Sequence, residues 1–186
     1  KEDVNKAVEM FTKAIENDEN NGRAYAQRCC TWGGALGKNW LKEPDNEVIP
    51  KILSTLEEAY ELTDHDWDCY RLLCGVSLYF HANYDKAEEH GRKAYELNPN
   101  NHSVLFVYGQ SLIFNGEYER GVEILEKAYE LDPINQELVN KIIWGYYAMA
   151  DYEACIYHTN KIKKMGPNNW LLKIASLGAL MRYEER

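Results

Sequence analysis

The sequence predicts an all-α protein, an α-solenoid of about ten helices packed as antiparallel pairs, and three observations carry that prediction. Marks recur at an offset of about 34 residues, the length of a helix–turn–helix repeat. Gly75 returns as Gly109, Tyr84 as Tyr118, Ala94-Tyr95-Glu96-Leu97 as Ala128-Tyr129-Glu130-Leu131, and Pro99 as Pro133. Between these marks apolar residues fall at helical spacing, as with Leu105, Tyr108, Gly109 and Leu112 on one face of His102–Phe114. The turns Asn98-Pro99-Asn100-Asn101, Asp132-Pro133-Ile134-Asn135 and Gly166-Pro167-Asn168-Asn169 place a proline just past a helix end, where it cannot continue the helix.

Taken in order, Asp3–Asn17 reads as an amphipathic helix with Val4, Ala7, Val8, Phe11, Ala14 and Ile15 on one face. After the turn Asn20-Asn21-Gly22 a second helix runs from about Arg23 to Leu36 and carries Tyr25, Cys29 and Trp32. Gly33, Gly34, Gly37, Pro44 and Pro50 then break the periodicity, so Gly33–Pro50 is expected to be irregular, with Trp40 and Leu41 inside it. Asn46 is placed to cap the next helix, Glu47–Leu62. Regular helices follow at Asp68–His81, Tyr84–Glu96, His102–Phe114, Tyr118–Glu130, Gln136–Ala150, Tyr152–Met165 and Trp170–Tyr183.

These residues and spacings resemble the tetratricopeptide repeat family, over nearly the whole chain. The resemblance implies a right-handed solenoid in a single domain, residues 1–186, whose repeats each hold an A and a B helix. Residues 1–19 then form an unpaired B helix, and 22–66 a repeat with a long inter-helix loop at 37–47. Regular repeats occupy 68–101, 102–135 and 136–169, and 170–186 forms a capping A helix. A natural domain rarely begins on an unpaired B helix, since solenoid ends need capping units, so Lys1 is read as a fragment boundary. Gly75 and Gly109 are expected to let each A helix approach its own B helix, with Ala87 and Gly121 doing the same from the other side. Ala94 and Ala128 face the next repeat, and Tyr84, Tyr118 and Tyr152 pack back across the A helices. Ile143 and Cys155 depart from this pattern in the fourth unit, which implies wider helix separation there.

In this family the A helices line the concave surface. The matching faces show Cys69, Leu72, Leu73, Val76, Tyr79 and Phe80, then Ser103, Phe106, Val107, Gln110, Ile113 and Phe114, then Glu137, Asn140, Lys141, Trp144 and Tyr147. The first two helices are apolar nearly all round, which a bare groove would not tolerate. Three covers fit: a partner peptide or helix, a second copy or further segment of this protein, or neighbouring A helices packed tightly enough to bury one another. The candidate partner-binding groove is Leu72, Val76, Tyr79, Phe80, Phe106, Gln110, Ile113, Phe114, Asn140, Lys141, Trp144 and Tyr147. Trp40 and Leu41 are a candidate loop site, against a passive loop folded on the helix ends. The carboxylate clamp of chaperone-binding members is not expected. It needs Lys, Asn and Arg spread over three successive A helices, whereas the matching faces carry only Arg23, Asn140 and Lys141 and the two middle helices offer no cation.

Composition narrows the partner. A net charge of −9 argues against a nucleic-acid backbone, and no apolar run reaches a membrane span. Five cysteines without a CxxC pair suit a reducing compartment, so the cytoplasm is expected, although the missing initiator Met leaves a removed leader open. His65, Cys69 and Cys74 lack a fourth ligand at zinc-like spacing, and Asp64, Asp66 and Asp68 lack the glycine and terminal glutamate of a calcium loop. Asn101-His102-Ser103 is a glycosylation sequon that matters only in a secreted chain. Glu57-Glu58 and Glu88-Glu89 read as solvated helix exteriors. With no nucleophile constellation, no metal site and no cofactor, the expectation is a protein-interaction scaffold and not an enzyme. Self-assembly as a homo-oligomer through the terminal helices or the groove is the alternative.

Overall fold

The computed structural model describes residues 2–184 apart from 39, 42, 43, 63–65, 81, 163 and 164, and only the backbone at 2, 37, 45 and 182–184. The described residues form ten α-helices and no strand: α1 (Glu2–Asn17), α2 (Gly22–Gly37), α3 (Asp45–Leu62), α4 (Trp67–Tyr79), α5 (Tyr84–Leu97), α6 (His102–Phe114), α7 (Tyr118–Leu131), α8 (Gln136–Ala148), α9 (Tyr152–Asn160) and α10 (Pro167–Glu184). This is the all-α helical solenoid class expected from the sequence. The chain divides into two compact units, Lys1–Asn98 with α1–α5 and Pro99–Arg186 with α6–α10.

In the first unit α2 packs on α1 and α3, and α4 on α2, α3 and α5. Its core gathers Ala26 and Cys29 of α2, Val48, Ile52, Leu56 and Ala59 of α3, and Cys69, Leu72 and Leu73 of α4. That burial corrects the expected irregular stretch. Gly33 and Gly34 lie inside α2, which runs to Gly37, and Pro50 lies inside α3, which begins at Asp45. An interior proline costs about 3 kcal/mol. Val48, Ile52 and Leu56, nearly inaccessible on one face of α3, each return about 1.5–3 kcal/mol, so packing wins. Asn46 is accordingly within α3 and does not cap it; the Pro44 carbonyl accepts from the Glu47 and Val48 N–H groups instead. The loop folds back, with Leu41 against the core and the Trp40 N–H donating to the Ala35 carbonyl at 2.9 Å.

In the second unit α7 packs between α6 and α8, and α10 against α8 and α9. At the α6–α7 crossing a Cβ on Gly109 would stand 2.7 Å from Leu125 Cγ, and one on Gly121 2.6 Å from Ile113 Cγ1. Gly145 plays the same part where α8 meets Val122 of α7, a contact the sequence reading passed over. Gly75 does not: a Cβ there meets nothing within 4 Å. Counting back the repeat offset, the place of Leu125 is taken by Gly91, which removes the side chain that would crowd it.

The helix ends also carry a repeat. Residues 82, 116 and 150 all adopt left-handed backbone, with φ of 48° at Ala82, 89° at Gly116 and 58° at Ala150. This conformation turns each A helix into its B helix, and it ends α8 at Ala148, two residues before the expected end. Two of the three sites strain an alanine. Ala82→Gly and Ala150→Gly are each expected to raise stability by up to about 1 kcal/mol, and Gly116→Ala to lower it by a similar amount. Urea midpoints at constant slope check the three signs.

The last helices differ most from expectation. α9 stops at Asn160, not Met165, and α10 begins at Pro167, not Trp170. The tightened turn in which the Lys161 and Ile162 N–H groups donate to the His158 and Thr159 carbonyls ends α9. It also turns Ile162 into a core with Val139, Ile143 and Cys155. Proline suits the first position of α10, where its missing N–H would have had no partner in the helix. The outer face of α10 exposes Trp170, Leu171, Ile174, Leu177 and Met181, which is not the polar face of a solvating cap.

Candidate partner-binding groove

In the second unit, α6, α8 and the start of α10 enclose a groove of about 750 Å3. Its position follows from the caps. Asn135 accepts from the Glu137 N–H and fixes the start of α8, and Pro167 starts α10 early enough to bring Asn168, Asn169 and Leu172 to the same opening. Gln110 of α6 lines it at 1 % exposure and Asn169 at 7 %. Asn169 Nδ2 donates to Asn140 Oδ1 at 2.8 Å. An amide carries two donors and an acceptor with two lone pairs, so this pair keeps hydrogen-bonding capacity for a ligand. At the lip Phe114 and Trp144 stand 5.9 Å apart between ring centroids, 37 % and 46 % exposed. Among the described residues that line the groove, Glu137 and Lys141 are the charged ones, one of each sign.

Six of the sequence-predicted residues therefore meet: Gln110, Ile113, Phe114, Asn140, Lys141 and Trp144. The others do not line this groove. Phe106 is half-buried, and Tyr147 turns to Tyr152, ring to ring at 5.9 Å. Leu72 is buried in the core of the first unit, Val76 lines a cavity there, Tyr79 is exposed, and Phe80 caps α4 through its N–H to the Val76 carbonyl. Tight helix packing, one of the three expected covers, accounts for Leu72, Leu73, Val107 and Ile113. The sequence reading missed Ile162, Asn169 and Leu172, because it ran α9 too long and started α10 too late; the proline in helix-opening position was the signal.

The first unit holds a second cavity of about 390 Å3 between α3, α4 and α5. His90 lines it, stacked at 6.4 Å on Tyr70 and edge-on at 5.7 Å to Tyr60. Burial pushes the His90 imidazole below its ordinary 6.5, and burial does the same to His158 of α9, which stacks on Tyr146 at 5.1 Å. Both rings are thus held neutral in the fold, and the unfolded chain binds protons more readily. The stability they contribute is complete above pH 6.5 and is lost as the pH falls through their lowered folded values. Melting temperature should drop between about pH 7 and pH 5, and His90→Gln with His158→Gln should flatten that part of the profile.

Other candidate chemistry is absorbed by structure. Asp64 and His65 lie outside the described residues. Asp66 caps α4, and the buried Asp68 carboxylate accepts from Gln27 and Arg71. Burial pushes the Cys29 thiol up to about 12, and the Asn101 side chain caps α6. Among the described residues no group of three or more His, Cys, Asp or Glu could hold a metal, and no helix is long and apolar enough to cross a membrane.

Comparison with known proteins agrees with the geometry. The family described as Tetratricopeptide repeat matches residues 102–135. No curated protein matches the chain. Among solved structures, TTC0263, a thermophilic TPR protein of Thermus thermophilus, is similar at TM-score 0.62 and 16% identity, over 96% of this chain and 91% of that one. YrrB, described as a TPR protein with an unusual peptide-binding site, is similar at TM-score 0.63 and 17% identity, over 97% and 84%. MamA of Desulfovibrio magneticus is similar at TM-score 0.64 and 14% identity, over 85% and 82%. Residues 102–135 are thus a tetratricopeptide repeat, and the chain has the fold of tetratricopeptide repeat proteins.

Proposed function

We propose that this chain is a protein-interaction scaffold whose second-unit groove holds a segment of a partner protein. The observation that carries the reading is the groove's lining: the hydrogen-bonded Asn140–Asn169 pair and buried Gln110 beside the exposed Phe114–Trp144 lip. Amides meet peptide groups, and the aromatic pair meets an apolar side chain, so an uncharged segment with an aromatic or aliphatic anchor fits best. YrrB, which shares the fold, is described as peptide-binding, which favours the same class of partner.

Peptides selected from a displayed random library against the wild-type chain supply the test. Trp144→Ala, at an exposed site, should weaken the selected peptides at least about tenfold with the fold intact, as loss of an aromatic anchor does. Undiminished binding by this variant would sink the groove reading. Self-assembly has one observation behind it, the exposed apolar face of α10. A molar mass that stays monomeric across protein concentrations would remove it.

A further inference from the structure

The cavity of the first unit has the chemistry of a cation site. Leu53 and Leu56 of α3 and Leu73 and Val76 of α4 give it aliphatic walls, and the rings of Tyr60 and His90 line it. Glu57 and Glu61 of α3 line it as well, and neither takes part in an ion pair among the described residues. The repeat register shows what sets the pair apart. Ala59-Tyr60-Glu61-Leu62 closes α3 as Ala94-Tyr95-Glu96-Leu97 closes α5. On α5 the acid Glu96 follows Arg92 by four residues and pairs with it at 2.8 Å. On α7 that place is held by Glu126, four residues before Glu130, and the Glu126 carboxylate accepts from the Tyr146 hydroxyl at 2.8 Å. On α3 it is held by Glu57, four residues before Glu61, so two like charges stand at the spacing where an ion pair belongs. Three other exterior glutamates are matched at that spacing: Glu9 pairs with Lys13, Glu89 with Lys93 and Glu123 with Lys127. The cations near the cavity do not make up the deficit. Lys93 is committed to Glu89 and lies 5.4 Å from the centre of the Tyr70 ring, and Lys86 stands on the α5 wall.

We infer that this cavity takes the guanidinium group of an arginine on a partner protein, held by Glu57, Glu61 and the ring of Tyr60. A guanidinium suits all three at once. It is planar and stacks on an aromatic face, it forks onto carboxylates, and its aliphatic stem lies along the leucine and valine walls. It also relieves the Glu57–Glu61 repulsion. Lys86 repels a cation on its own wall, which places the head on the α3 side. The site lies in the first unit and is independent of the groove of the second, so either can fail alone.

Titration of the isotope-labelled chain with acetyl-Gly-Gly-Arg-Gly-Gly-amide, followed by NMR of the Tyr60 and His90 rings, tests the assignment. The same peptide with citrulline, the uncharged isostere of arginine, is the control. The expected result is a saturable shift of both rings with the arginine peptide and none with the citrulline peptide. Glu57→Gln with Glu61→Gln, at exposed positions, should weaken binding about tenfold, as loss of charge-assisted hydrogen bonds does, while leaving circular dichroism unchanged. The assignment is overturned if the rings do not shift, if citrulline shifts them equally, if a lysine peptide binds as well as arginine, or if the glutamine variant binds undiminished.

Discussion

Replacing Asp68 by alanine is expected to lower the stability of the first unit by about 3 kcal/mol, the cost of leaving buried partners of a lost charge uncompensated. Asp68 is 5 % exposed in the first turn of α4. Arg71 Nε donates to its Oδ1 at 2.7 Å, and Gln27 Nε2 of α2 donates to its other oxygen. The carboxylate is therefore the buried polar tie between α2 and α4. Without it a guanidinium 18 % exposed and the Gln27 amide both lose their acceptor. Asp66→Ala, which removes the cap of α4 and a 3.8 Å ion pair with the exposed Arg23 of α2, should cost about 1 kcal/mol. Urea denaturation of the two variants orders the effects. Equal costs would mean that Asp68 acts as a helix-end charge and not as the bridge.

The next largest effect is a sign reversal between glycines of neighbouring repeats. Gly121→Ala is expected to cost about 2 kcal/mol, since overpacking exceeds the gain in helix propensity. Its Cβ would stand 2.9 Å from the Gly109 carbonyl oxygen and 3.0 Å from the Ile113 nitrogen, backbone atoms that cannot turn aside. Gly75→Ala meets open space and should instead stabilise by about 0.5–1 kcal/mol, the helix-propensity difference alone. Thermal melts of the two variants moving in the same direction would contradict the packing described at the α6–α7 crossing.

That pair also shows how far the sequence could be read. Repeat spacing placed α6 at His102–Phe114 to the residue, because Asn101 and Gly116 mark both ends with local chemistry that owes nothing to the rest of the fold. Where tertiary packing outweighs local preference, the reading failed. Gly33, Gly34 and Pro50 read as breakers, yet they sit in helices held by the core. Gly75 shares its repeat position with Gly109 but not its neighbours, and a neighbour such as Gly91 is not visible in a motif. The groove was half legible. Helix periodicity put Asn140, Lys141 and Trp144 on one face of α8, whereas Asn169 and Leu172 enter through a start of α10 that depends on where α9 stops. Glu57 read as an ordinary solvated acid, and Glu61 did not stand out. Their meaning comes from Tyr60, His90 and Val76, which three different helices bring to one cavity.

The central claim, that the second-unit groove receives a partner segment, is tested most directly by watching its own amides. Side-chain NMR signals of Gln110, Asn140 and Asn169, with the Trp144 indole N–H, can be followed while a selected peptide is added. These four signals are expected to shift together and to saturate at one peptide per chain. Tight binding that leaves all four unmoved would contradict the claim.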